Sequence, residues 1–250
     1  MVLLTFNIVN NKSDFKKGHF LDEKELTKIT VQNTTSILRL LEFNNILATF
    51  FVEISLIEKL QPVIKKMMSS GHELAFYNEK STQLEIETAK KYAEELTGKM
   101  IRGIRQKDIS VSVDDLKKLE FTYISNIENA DILFPFKRLK RSTEISVQNG
   151  INIIPESISP YSQIPYNDFV FQVLPLKYYE NMVLETIKND DFVLVYLNSW
   201  QITDVEKFNF KTPFYRKYNS GRKMENKLEE FLLWMNEENL AFSRMKDFIF

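Results

Sequence analysis

The sequence predicts an α/β protein built on a parallel sheet. Three observations carry that prediction: a helix-strand-helix-strand order between Gln32 and Ser81, short apolar runs without alternation, and a length suited to one α/β barrel. Strands buried on both faces read as continuous β-favouring runs, and Ile46–Val52 is such a run. In the preceding helix, Thr34, Ile37, Leu38 and Leu41 form one apolar stripe, and Asn44 and Asn45 end it. Pro62 suits the first turn of the next helix, Val63, Ile64, Met67 and Met68 supply its buried side, and Gly71 is its stop.

The other elements follow in order. Val2–Val9 reads as the first strand, followed by a polar loop from Asn10 to Gly18, His19 and a charged segment from Asp22 to Lys28. Thr82 and Glu85 have capping-box spacing, and Ile86, Ala89, Ala93 and Leu96 face inward up to Gly98. A strand then leads to Arg105, Ser112 with Asp115 opens a short helix ending near Glu120, and Phe121–Ile124 is strand-like. The stretch from Asn126 to Asn167 holds four of the seven prolines and the basic residues Lys137, Arg138, Lys140 and Arg141, and reads as an elaborated loop region with hairpins. Pro175 begins a helix to about Lys188, Phe192–Leu197 is an apolar strand, and Asn219–Asn236 is amphipathic through Met224, Leu228, Phe231, Leu232 and Met235.

Composition narrows the function. The 250 residues are 44% hydrophobic, enough for a sizeable core, and a single domain over 1–250 is expected. With 33 basic and 34 acidic side chains the net charge is -1, which provides no general field for nucleic acid or anionic lipid. There is no cysteine, so disulfides and thiolate metal sites are excluded. The start lacks the features of a secretory leader and no segment reaches membrane-spanning length, so a cytoplasmic protein is expected.

The motifs TFN (5–7), NTTSILRLLEFNNILATFFVE (33–53), KKMMSSGHELA (65–75), AKKYAEELTGKMIRGIR (89–105), LKKLEFTYISNI (116–127), FVLVYLNSW (192–200) and PFYRKYN (213–219) occur in an order that resembles the polysaccharide deacetylase (NodB-homology) family, carbohydrate esterase family four. The branch it resembles is found in bacterial surface and exopolysaccharide gene clusters, including O-antigen clusters. The likeness covers nearly the whole chain. It implies a distorted (β/α) barrel of about seven parallel strands, with the site at their carboxyl ends. It also implies metal-assisted hydrolysis of a sugar acetamide, with one carboxylate and two imidazoles holding the ion, an Asp as base and a late His as acid.

Carried over position by position, that chemistry is replaced. The base falls on Asn7, the acidic ligand on Asn10 or near it with Val9 at the other usual acidic place, and the two imidazoles on Tyr77 and Ser81. The late His falls on Asn198, within Tyr196-Leu197-Asn198-Ser199-Trp200-Gln201. Arg105 keeps its type, while the proline two residues later is Lys107. Loss of a single partner behind a metal ligand typically costs roughly 10- to 100-fold. Here base, acid and ligand triad change together, and only two histidines remain, so no metal and no cofactor are expected.

Three readings follow. The leading one is a carbohydrate-binding or assembly pseudoenzyme of surface polysaccharide metabolism, taking a carbohydrate or a nucleotide-linked glycan. Its cleft would be lined by Asn7, Asn10, Glu53, Tyr77, Ser81, Arg105, Asn198 and Trp200, with amides for hydroxyls and an indole for a pyranose face. The second is a metal-free hydrolase of an acylated sugar using Glu53, Glu73 or Asp108 with Arg105. The third is a structural partner, a homodimer through the Asn219–Asn236 helix. Each residue also has a plainer role: His72 as a hydrogen-bonded turn residue, His19 on a surface loop, Arg105 in an internal ion pair, Tyr77 and Trp200 sealing a former pocket, and the basic group as a solvated loop.

Overall fold

The computed structural model describes residues 1–10, 22–107, 110–126, 143–205 and 214–249. His19, Asp108, the basic group Lys137, Arg138, Lys140 and Arg141, and the polar loop over 11–18 lie outside the described residues. β1 (Val2–Ile8) leads to α1 (Glu23–Phe43), β2 (Thr49–Glu53), α2 (Gln61–Ser69), β3 (Glu73–Asn78), α3 (Gln83–Thr97), β4 (Gly103–Gln106), α4 (Val113–Lys118) and β5 (Tyr123–Asn126). Then come the hairpin β6 (Ser146–Gln148) and β7 (Ile151–Ile154), α5 (Asp168–Val173), α6 (Leu176–Asn189), β8 (Val193–Asn198), α7 (Phe214–Lys217), α8 (Arg222–Glu237) and α9 (Met245–Phe248).

The sheet order is β6-β7-β5-β4-β3-β2-β1-β8, curled into a half-barrel. Every neighbouring pair is parallel except β6 with β7, so seven parallel strands carry one antiparallel edge strand. This is the distorted (β/α) barrel expected from the sequence. The stretch read as an elaborated loop region with hairpins does contain the hairpin β6–β7, and β7 also joins the barrel sheet beside β5.

Local chemistry explains the helix ends. Thr82 and Glu85 form the reciprocal capping box at α3, and Gly98 closes it at φ 65°. Asp22 and Glu25 form the same box at α1, which therefore begins well before the apolar stripe that reveals it. Ser112 caps α4 and Asn167 caps α5, each accepting from the backbone N–H three residues on. At Gly103 the reason for glycine is space: a Cβ there would stand 1.9 Å from Tyr123 Cζ, because that ring lies across it.

Period-two alternation divides the strands between two cores. Val2, Leu4, Phe6 and Ile8, with Phe50, Val52, Leu74 and Phe76, face the helices. Leu3, Phe51, Ala75, Tyr123 and Leu194 fill the concave side. Below them Met245 and Phe248 of α9 close the amino end, with Phe248 5.1 Å from Phe192. The concave face becomes polar toward the carboxyl ends, where Thr5, Asn7, Arg105 and Ser125 are buried.

The sequence reading places a homodimer on the helix that is α8, and one face of that helix packs inward. Met224, Leu228, Phe231, Leu232 and Met235 are buried in the helix-facing core, so the methionine face of α8 is spent inside the chain. Among the described residues no helix is long and apolar enough to cross a membrane.

Candidate functional site

The carboxyl ends of β1, β2, β3, β4 and β8 bring most of the expected residues to one end of the sheet. Asn7 and Asn198 are register partners on adjacent strands, as are Glu53 with Tyr77, and Tyr77 with Arg105. Parallel pairing in register aims paired side chains at the same face.

Arg105 crosses the concave face and is fully buried. Its Nη1 donates to Asn7 Oδ1 at 2.7 Å and to Thr5 Oγ1 at 3.2 Å, and its Nη2 donates to Ser125 Oγ at 2.8 Å. The guanidinium stands 3.9 Å from the centre of the Phe51 ring and 5.4 Å from that of Tyr196. Burial brings its pKa down to about 10, opposed by Tyr196, Tyr123, Tyr77 and Glu156. Among the described residues its direct partners are hydroxyls and an amide, so dipoles rather than a carboxylate meet the charge there.

From Arg105 a chain of amides runs to the rim. Asn7 Nδ2 donates to Asn198 Oδ1 at 3.0 Å, and Asn198 Nδ2 donates to Asp168 Oδ2 at 2.6 Å. Both orientations are dictated by the ends: a guanidinium only donates and a carboxylate only accepts. Arg216 Nη1 lies 3.6 Å from the same Asp168 oxygen and its guanidinium 5.0 Å from the Trp200 ring centre. Gln201 supports the turn, accepting from Asn198 N at 3.0 Å and donating to Asp168 O at 2.9 Å.

The expected residues therefore divide. Asn7, Arg105 and Trp200 are buried framework, and the face of Trp200 is covered by Arg216. Asn198, Glu53 and Tyr77 are partly exposed at the rim. Glu53 accepts from Asn10 N at 3.0 Å and from Ser55 Oγ at 2.5 Å, while the Asn10 side chain accepts from Thr30 at 2.8 Å. Burial pushes the Tyr77 phenol up to about 12, with Arg105 pulling the other way. Ser81 donates its backbone N–H to Asn78 Oδ1 at 2.8 Å and lines a groove of about 410 Å³ with Ser55, Lys59 and Leu84.

Two candidates lie at the opposite end. His72 precedes β3; its Nδ1 accepts from Ala48 N at 3.2 Å, and burial, with Arg244 adding to it, lowers its pKa to about 4. Glu73 opens β3, with its carboxylate accepting from Thr49 Oγ1, Tyr123 OH and Lys246 N, and burial raises its pKa. Glu53 is level with Tyr77, four residues up β3 and about 13 Å away at strand rise. Glu53 and Glu73 thus do not form the carboxylate pair that the metal-free hydrolase reading draws on.

Asp168 and Arg216 were absent from the expected site. Asp168 had one local signal, its place after Asn167 at a helix start; Arg216 stands in the PFYRKYN motif without a distinguishing pattern.

The donor set can be judged against the metal of the resembling family. Zinc favours imidazole, thiolate and carboxylate donors. The equivalent positions offer amides at Asn7, Asn10 and Asn198, a phenol kept protonated at Tyr77 and a hydroxyl at Ser81. Among the described residues no group of three His, Cys, Asp or Glu side chains is placed to hold a metal ion. These residues do not fit the group.

No family model matches the sequence, and no curated protein matches it. Solved structures do match by fold. The probable polysaccharide deacetylase of Pseudomonas aeruginosa PAO1 superposes with a TM-score of 0.62 at 12% identity, over 98% of this chain and 88% of that one. Puue allantoinase gives 0.58 at 13% identity, over 98% and 87%. A mutant of BA3943, described as a CE4 family pseudoenzyme with restored enzymatic activity, gives 0.52 at 11% identity. The chain spans just under two thirds of that protein, 66% of the mutant and 64% of the wild type from Bacillus anthracis, against 99% of itself. The chain has the polysaccharide deacetylase fold. A fold shared by deacetylases, an allantoinase and a pseudoenzyme leaves the function to the site.

Proposed function

We propose that this chain is a carbohydrate-binding pseudoenzyme: a single deacetylase-like domain that keeps the fold and holds a glycan at the carboxyl ends of the strands without metal-dependent hydrolysis. The observation that carries this reading is the relay Arg105–Asn7–Asn198–Asp168, in which amides occupy the places where the resembling family has its base and its acid. An amide takes no proton at neutral pH, but it offers donors and acceptors to hydroxyls. Asn198 and Asp168 stand at the rim beside partly exposed Phe169 and exposed Tyr215, whose rings meet edge to face at 6.2 Å. Polar groups beside aromatic faces suit a sugar, which has hydroxyl edges and an apolar ring face.

A role in bacterial surface polysaccharide metabolism in the cytoplasm, with the glycan free or nucleotide-linked, is part of the same proposal and rests on the resemblance of the motifs. The test is calorimetric titration with N-acetylated oligosaccharides and with zinc, together with an assay for released acetate. Saturable glycan binding weakened by Asn198→Ala, without acetate release, is expected. Stoichiometric zinc binding at micromolar concentration together with acetate release would overturn the reading.

A further inference from the structure

The strand-end site leaves the amino-terminal end of the sheet without an assigned role, and a second cavity opens there. It measures about 460 Å³ and is lined by Lys99, Met100, Arg102, Lys246 and Asp247. The loop before β4 contributes the first three and α9 the last two. The volume falls within the roughly 300–1,000 Å³ typical of small-molecule sites.

Its charge is one-sided. Three cations line it against one carboxylate, and Asp247 is already paired with Arg244 through Nε. Burial disfavours the charged form of Lys246, Arg244 and Lys99 repel its ammonium, and Glu73 and Asp247 attract it. Glu73 lies beneath Lys246, but it is buried and its oxygens already accept from Thr49, Tyr123 and the Lys246 backbone. Among the described residues the ammonium groups of Lys99 and Lys246 have no hydrogen-bond or ion-pair partner. Like charges gathered around a hollow repel one another, and an anion placed among them converts that repulsion into attraction.

We propose that this cavity binds the phosphate group of a small phosphorylated ligand or of a lipid headgroup, with Lys99, Arg102 and Lys246 as its donors. Ammonium groups serve as point charges and a guanidinium as a fork for phosphate oxygens. Exposed Met100 supplies an apolar contact for whatever carries the phosphate. The site is independent of the glycan reading, since it lies at the other end of the strands and shares no residue with it.

The test is titration of the full chain with inorganic phosphate and with glucose 1-phosphate, beside pelleting with vesicles of phosphatidylglycerol and of phosphatidylcholine. Saturable binding of one phosphate per chain is expected, weakened about tenfold for each ammonium removed in Lys99→Met and Lys246→Met, the scale of one charge-assisted hydrogen bond. The methionines keep the apolar stems, and thermal melts confirm that both variants fold. Binding of the soluble phosphates assigns the site to a soluble ligand, and binding only to phosphatidylglycerol vesicles, lost in the same variants, assigns it to a headgroup. Absence of binding to all of these probes, or binding that both substitutions leave unchanged, would overturn the proposal.

Discussion

Asn7 and Asn198 face each other from adjacent parallel strands, and the 3.0 Å hydrogen bond between their amides links a buried cation to a carboxylate at the rim. Each amide points its oxygen toward Arg105 and its nitrogen toward Asp168, so their dipoles align along one direction. The arrangement is a polar brace as much as a binding surface. Asn7 is 3% exposed, whereas Asn198 is open enough for water to reach it.

That asymmetry sets the first prediction. Asn7→Ala removes the 2.7 Å acceptor of a buried guanidinium and leaves a charged donor short of a partner, at a cost of about 3 kcal/mol. Asn198→Ala costs about 1 kcal/mol, since water can replace the lost amide at Asp168. Urea denaturation of both variants measures the difference, and equal losses would mean that the brace does not run through Asn7.

Gly103 and Tyr123 supply the second. Gly103→Ala drives a methyl group into the Tyr123 ring and is expected to destabilise the chain by about 3 kcal/mol, the upper part of the overpacking range. In a Tyr123→Leu background the same change costs much less, because the ring that fills the space is gone. The double-mutant cycle reads this coupling directly, and an additive result would remove the steric explanation.

What the sequence made legible was local. Thr82 with Glu85, Pro62, Gly71 and Gly98 mark their helices because each acts on its own turn. Asp22 and Glu25 have the same spacing as Thr82 and Glu85, but they stand among other charges, so periodicity alone starts α1 near Gln32. Ile151–Ile154 is short and followed by Pro155, and its β5 partner lies more than twenty residues earlier, so its membership of the sheet is a long-range fact. The site followed the same rule. Asn7, Arg105 and Asn198 were reached through motif likeness, but Asp168 acquires its role only when β8 places Asn198 beside it. Nor does a sequence show that Arg105 spans the concave face from β4 to β1, which requires the curl of the sheet.

His72 sets the third prediction, a pH dependence of stability. Its folded pKa of about 4 lies below the ordinary 6.5, so the unfolded chain binds the extra proton first. Its contribution is complete above pH 6.5 and is lost as pH falls toward 4, amounting to roughly 3 kcal/mol across that window. His72→Asn keeps an acceptor for the Ala48 N–H and removes the titration. Denaturation midpoints at pH 7 and pH 4.5 should therefore converge in the variant relative to the native chain; an unchanged difference would place the acid sensitivity elsewhere.

The fourth prediction concerns the metal that the native donor set does not fit. Tyr77 stands between its register partners Glu53 and Arg105, Ser81 follows four residues later on the turn tied to Asn78, and Asn10 donates its backbone N–H to Glu53. If these positions correspond to the ligand triad of the resembling family, Asn10→Asp, Tyr77→His and Ser81→His together supply one carboxylate and two imidazoles, a set zinc accepts. The triple variant is then expected to bind one zinc ion per chain at micromolar concentration, where the native chain binds none, and calorimetry with elemental analysis measures both. Catalysis is a separate requirement, because Asn7 and Asn198 would still hold amides where a base and an acid are needed. Zinc binding without acetate release in the triple variant, with release appearing only after Asn7→Asp and Asn198→His are added, would separate loss of the metal from loss of proton transfer. A well-folded triple variant that takes up no zinc would show that the strand ends diverged in geometry as well as in side chains.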